Sequence, residues 1–217
     1  MDFKELFDFL EELYANNNRQ WMDANRKRYR SLREDFILWL DALDHSFSQW
    51  DVDYCPTPGK RAINRINNNL MFHPNRPVYK DHFGAVLDKV PGRADFYIEL
   101  GLEHCLMAGG FWRPDPRTLA SIREAIDFNG EELIAILERP SFQRNFGGLY
   151  HDEKLIQAPK GYSPDHPHID LLRQKTFAVE HRFSREEVFR DSFGEKIRAV
   201  YMEMLPFRRY LTKAVSV

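Results

Sequence analysis

Phe3, Leu6, Phe7, Leu10, Leu13 and Tyr14 recur at the i, i+3, i+4, i+7 spacing of one helix face, which predicts a helix over 2–15. Asp2 stands where a cap belongs, with Glu5 three residues on. Asn16, Asn17 and Asn18 then interrupt the pattern. A second stripe, Trp21, Tyr29, Leu32, Phe36, Leu40, Leu43 and Phe47, predicts one long helix over 19–50 whose other faces are charged. Its basic run RKRYR, 26–30, reads as a solvated face.

Two prolines and a glycine in 54–59 mark a loop, after which the period shortens. The segment 61–90 looks strand-like with irregular turns, and the stretch DFYIELGLE, 95–103, alternates cleanly. Phe96, Ile98, Leu100 and Leu102 point to a core, while Tyr97, Glu99, Gly101 and Glu103 point the other way. HCLMAGGFW, 104–112, pairs back as a second strand, with Gly109 and Gly110 at a bulge or close backbone approach and Phe111 and Trp112 as core. Asp115-Pro116 opens a helix that Asn129-Gly130 ends, followed by short helices over 133–137 and from Ser141 to the Gly147-Gly148 pair. Leu155 and Ile156 suggest a short strand, and 167–174 a short helix capped by Ser163 or Asp165. The alternation of 175–183 predicts a strand, Ser184 and Glu187 form a capping box, and two helices, 192–204 and 206–214, close the chain.

The order of helices, strands, helices, one more strand and a helical tail predicts an α+β fold with a mostly antiparallel sheet. We expect one domain over 1–217, with a helical N-terminal part about 2–50 and an α+β body about 54–217. Hydrophobic residues at 43% and aromatics at 14% supply a sizeable core. A net charge of −2 disfavours a general nucleic-acid or acidic-membrane binder but leaves room for a local basic groove. Cys55 and Cys105 lie far apart and read as free thiols. The N-terminus lacks the charged and apolar regions of a signal peptide, and there is no apolar run of transmembrane length, so a cytoplasmic protein without a membrane partner is expected.

Phosphate loops, dinucleotide-binding glycine motifs, nucleophile elbows and H-E-x-x-H are all absent, which excludes the enzyme classes that depend on them. The best metal candidate is Asp165, His166 and His168 with His151 and Asp152 upstream. Without a second ligand pair at metal spacing, these residues read as loop and helix start, and no metal or cofactor is expected. More informative is RINNNLMFHPNRPVYKDHFG, 65–84. From 54 to 80 there is no Asp or Glu, while Lys60, Arg61, Arg65, Arg76 and Lys80 lie within it. On a strand, Arg65, Asn67 and Asn69 share one side, and an Arg beside amides suits planar anions or base edges. Tyr79 and Lys80 add a phenol and a point charge. The bland alternative pairs Arg65 and Lys80 with Glu99 or Glu103 and leaves the asparagines to build turns. A second patch is Lys160-Gly161-Tyr162 in APKGYSPDHP, with Lys175 at the start of the next strand.

NNNRQWMDANRKRY, the 65–84 stretch, FYIELG followed by AGGFWRPDPRTLASIREAI, and APKGYSPDHPHIDLLRQKTF occur in this order. Together they resemble the domain of unknown function 2461 family, found mainly in bacteria and also in fungi, over about residues 3–212. The resemblance implies one α+β domain of this length and no established activity. Against the family's text, Arg65, Ile66, Phe72, Tyr79 and Lys80 match. Asn68 and Asn69 replace an Arg-Asp pair, Met71 an Arg, Pro74-Asn75-Arg76 a Lys-Asp-Lys, and Val78 a Pro. The resemblance therefore implies lost charge where acid–base chemistry would sit.

Three readings follow. In the first, Arg65, Asn67, Tyr79, Lys80, Lys160, Tyr162 and Lys175 bind an anionic small molecule or nucleotide, with nucleic acid disfavoured. In the second, the protein is a hydrolase or transferase acting on a phosphorylated or carboxylated substrate, with Glu99 as general base. In the third, the charged helix 19–50 is a protein-interaction surface. Glu99's partner separates the first two: Arg65 would make it a poor base, a dry pocket with Tyr97 a better one.

Overall fold

A computed structural model describes residues 1–151 and 154–215 of the 217. Its helices are α1 (Phe3–Ala15), α2 (Arg19–Ala24), α3 (Arg26–Trp50), α4 (Gly59–Ala62), α5 (Pro116–Leu137), α6 (Pro140–Phe146), α7 (Ile169–Leu172), α8 (Arg185–Val188) and α9 (Phe193–Val215). Strands β1 (His82–Leu87), β2 (Asp95–Gly101), β3 (Cys105–Phe111) and β4 (Phe177–Phe183) form an antiparallel sheet in the order β1-β2-β3-β4. This is the α+β fold expected. The chain divides into two compact units, the first taking 1–89, 97–107 and 182–196, the second 90–96, 108–181 and the chain from 197 on.

In the first unit, the Asp2 carboxylate accepts the Glu5 N–H at 3.0 Å and starts α1, whose Leu6, Phe7, Phe9, Leu10 and Leu13 are buried. The single helix expected over 19–50 is broken at Asn25, which sits at φ −101°, ψ 11°. Its amide donates to Trp21 O at 3.0 Å and so offers the backbone an alternative to helix continuation. Asn18, expected only as a breaker, caps α2 through Trp21 N–H at 2.9 Å. The stripe Leu32, Phe36, Leu40, Leu43 and Phe47 is buried along α3, and Phe36 meets Phe83 of β1 edge-on at 5.3 Å. Gly59 lies against α3: a Cβ there would stand 2.5 Å from Ile37 O, so a side chain cannot be accommodated without a backbone shift.

In the second unit, Asp115 caps α5 through Arg117 N–H at 2.9 Å. The stop expected at Asn129-Gly130 is a kink instead: Asn129 leaves helical geometry (φ −152°, ψ 65°) and the helix resumes. The two helices expected over 192–204 and 206–214 form one, α9, passing through Pro206. Proline removes one helical hydrogen bond, but burial of Ile197, Tyr201, Met204, Phe207 and Leu211 along one face outweighs that loss. Leu155 and Ile156 form no strand: Leu155 makes a single backbone bond to Arg173 O, and Ile156 is exposed. Helix α7 begins at Ile169 with His168 in the cap position and without the side-chain cap expected from Ser163 or Asp165. Trp112, expected in the core, is 54% exposed and packs on Tyr150. Gly110 has φ 121°, and a Cβ on it would lie 2.2 Å from Phe177 O, which explains the glycine where β3 meets β4.

Candidate functional site

The stretch 65–84 is not the strand with a one-sided Arg65, Asn67 and Asn69 face that its spacing suggested. It is a narrow loop closed by backbone pairing. Asn67 and Tyr79 form an isolated antiparallel bridge, Lys80 N–H donates to Ile66 O at 2.8 Å, and Asn68 N–H donates to Val78 O at 3.0 Å. The Asn68 amide also donates to Pro77 O at 2.9 Å, so this asparagine builds the loop. One asparagine far upstream matters as well. The Asn17 side chain accepts Tyr79 N–H and donates to Tyr79 O, both at 2.9 Å, imitating a strand partner. This clamp fixes the backbone beside Lys80, a role hidden at a separation of 62 residues. Tyr79 itself is buried, Lys80 half-buried, and Arg65 and Arg76 exposed.

The same loop runs into β1 and brings Asp81 and His82 to the polar face of β2. There the Tyr97 hydroxyl donates to Glu99 Oε2 at 2.5 Å, and His82 Nε2 lies 3.5 Å from the same oxygen. His82 Nδ1 lies 2.9 Å from Asp81 Oδ1. The alternation of β2 put Tyr97 and Glu99 on one face, as read from the sequence. Two glycines make room for the cluster: a Cβ on Gly84 would come 2.4 Å from Tyr97 Oη, and one on Gly101 would come 2.6 Å from His82 Cβ. Asp81 and His82 were missed. Their only sequence signal was adjacency to Tyr79-Lys80.

Among the described residues, no ion pair joins Arg65 to Glu99. Burial pushes the Lys80 ammonium below its ordinary value, Glu99 pulls it back up, and Arg65 and Arg76 push it down again. Burial, and then the charge of Glu99, push the Tyr97 phenol far above its ordinary value, so it stays a donor. The cluster is a sheltered carboxylate, at 15% side-chain exposure, held by a phenol and faced by an imidazole and a half-buried lysine. Such a set can accept a proton, donate hydrogen bonds and hold an anion.

The remaining candidates belong to the second unit. Lys160 is exposed on a turn next to Gly161, which has φ 95°, and Lys175 is half-buried ahead of β4. Tyr162 is partly buried, and burial followed by Asp127 and Glu124 raises its phenol. Its ring lies edge-on to His166 at 6.3 Å. His166 Nδ1 accepts the His168 N–H at 3.0 Å, so its Nε2 carries the hydrogen that meets Asp127 Oδ1 at 2.9 Å. His168 Nε2 meets Glu131 Oε1 at 3.1 Å, and its ring packs on Gly130. Asp127 and Glu131, four apart on α5, thus clasp the 158–174 segment through two histidines. No group of three or more His, Cys, Asp or Glu set to hold a metal occurs among the described residues. Asp152 lies outside them.

The fold and this polar strand face define an α+β protein with a histidine–carboxylate–tyrosine cluster on an antiparallel sheet. Residues 5–210 match the family model described as "Conserved hypothetical protein (DUF2461)", and the chain belongs to that family. No curated protein and no solved structure gives a significant match. No helix among the described residues is long and apolar enough to cross a membrane.

Proposed function

We propose that the first unit binds a small anion, of the phosphate or nucleotide class, with Lys80 at the centre, Arg65 and Arg76 as further cations and Asn67 as an amide contact. Lys80 carries the reading. Its ammonium is half-buried, is disfavoured by burial and by two arginines with the charge of Glu99 offsetting this only in part, and has no hydrogen bond or ion pair among the described residues. A bound anion supplies the missing partner. Tyr97, Glu99 and His82 offer hydroxyl-recognising groups beside it. Lys160, Tyr162 and Lys175 stand in the second unit and are not needed for this proposal.

The test is calorimetric titration with inorganic phosphate and with adenosine monophosphate. Binding raises the Lys80 pKa, so affinity is full below the free protein's lowered value and falls as pH rises through the bound value. Lys80→Met should weaken binding about tenfold or more and flatten that pH dependence, with the circular dichroism spectrum unchanged. Unchanged affinity in a folded Lys80→Met protein would refute the assignment.

The Asp81–His82–Glu99–Tyr97 chain favours a second reading, an acid–base enzyme with Glu99 as general base. Both imidazole nitrogens face carboxylates, and both can donate only in the charged ring. Glu99→Gln separates the readings: an enzyme loses turnover of phosphorylated or carboxylated substrates while retaining binding, whereas a binding module has no turnover to lose.

A further inference from the structure

Helix α5 is interrupted at Asn129, and a cavity of about 360 Å³ lies there against the last turns of α9. Ser121, Ala125 and Phe128 line it at helical spacing before the kink, and Glu132 after it. From α9 come Tyr210, Lys213 and Ala214, again at i, i+3, i+4. Two alanines face the space, so the void is set by small side chains on both helices. A 360 Å³ cavity lies within the range of small-molecule sites.

The walls have a definite chemistry. Phe128 stands 92% exposed at the rim, an apolar ring that the native fold leaves almost wholly in water. Tyr210 places a second ring against the cavity, its hydroxyl directed at Asn129 O at 3.5 Å. Glu124 and Glu132 oppose the single cation Lys213 in the lining. Glu124 has no hydrogen bond or ion pair among the described residues, and Glu132 accepts only the Asn129 amide, at 3.2 Å. Two rings and two underused carboxylates around an apolar void match a cation with an apolar body.

We propose that the cavity between the kink of α5 and the end of α9 is a binding site for a small organic cation, an aryl- or alkyl-ammonium whose apolar part fills the space beside Ala125 and Ala214 and whose charge sits between Glu124 and Glu132. The site lies wholly in the second unit and is independent of the anion site proposed above.

Saturation-transfer NMR and calorimetry with three probes of one shape test it: 2-phenylethylammonium, neutral 2-phenylethanol and anionic phenylacetate. The ammonium should bind with a Kd on the order of 1 mM, in keeping with its few heavy atoms. It should bind about fivefold or more tighter than the alcohol, and the carboxylate more weakly still. Ala125→Leu fills the void and should abolish binding. Phe128→Ala, at an exposed position that folding does not need, should weaken it about threefold to tenfold. The double change Glu124→Gln with Glu132→Gln should bring the ammonium down to the alcohol's affinity. Equal or tighter phenylacetate binding would overturn the charge assignment. Binding indifferent to both Ala125→Leu and Phe128→Ala would overturn the location, and no binding by any probe would overturn the site.

Discussion

In the first unit the carboxylate is the sheltered partner of the histidine: Glu99 is 15% exposed and His82 22%. In the second the burial is reversed, with His168 at 7% and His166 at 14% against Glu131 at 74% and Asp127 at 55%. The two constellations use the same residue types for different ends. An exposed carboxylate that steers a buried ring is a fastener: water can take its place at little cost. A carboxylate kept from water must be satisfied by fixed donors: the Tyr97 hydroxyl is held on Glu99 by the strand pleat, with Gly84 leaving it room, and the His82 ring lies alongside with Gly101 leaving it room. On this comparison the second unit's histidines serve as fasteners, while the first unit's cluster keeps its carboxylate from water, the property on which the proposed site rests.

The largest effects should come from the glycines that make room for each ring. A Cβ on Gly130 would meet three atoms of the buried His168 ring at 2.4, 2.7 and 2.9 Å, so the ring must leave its seat. Gly130→Ala should cost about 2–3 kcal/mol, offset in part by alanine's better helix propensity. A Cβ on Gly84 meets only the Tyr97 hydroxyl below 3.0 Å, at 2.4 Å. Gly84→Ala should therefore cost less, about 1–2 kcal/mol, and Tyr97→Phe should relieve it. Urea unfolding of the two single mutants and the double mutant measures the coupling. Strict additivity would mean that Gly84 is not there to admit the phenol.

Next in size is Tyr97→Phe alone, which strips the sheltered Glu99 of its hydroxyl donor and should cost about 1–2 kcal/mol at neutral pH. At high pH the effect shrinks. The folded phenol is raised above its ordinary value of 10, so above pH 10 the unfolded chain loses the proton first and stability falls as pH rises. Tyr210, raised to about 12 by burial, acts in the same direction. The Tyr97→Phe protein should lose stability less steeply above pH 10 than the parent, so the gap between them narrows. A constant gap from pH 7 to 11 would mean that Tyr97 is not sheltered.

Much of this contrast was legible in the sequence, and what was not has a common cause. The 2-residue period of 95–103 placed Tyr97 and Glu99 on the polar face, because a half-buried strand writes its two faces directly into the sequence. The capping box at Ser184 and Glu187 and the cap at Asp2 were equally local and equally plain. The Asn17 clamp on Tyr79, the Gly130 seat for His168 and the β1–β2 meeting of His82 with Glu99 join residues remote in sequence, so no local period carries them. The acid-free window of 54–80 was visible, but its asparagines served backbone pairing because short amides bond the main chain as readily as a ligand.

The smallest effect should be the most discriminating. Glu131→Gln removes the charge of an exposed fastener. The Glu131 carboxyl is held below its ordinary 4.5, first by its backbone hydrogen bond and further by His168. Its contribution is therefore present above the unfolded value and lost as pH falls through the folded one. The neutral-pH melt of Glu131→Gln should fall only slightly below the parent's, and that small gap should close as pH is lowered toward 4. Glu99→Gln at neutral pH should instead cost about 1 kcal/mol or more, because the charge that the Tyr97 hydroxyl donates to is gone from a sheltered place. Equal losses from the two substitutions would erase the distinction between an exposed fastener and a sheltered carboxylate, since burial of Glu99 and its phenol donor are what set it apart.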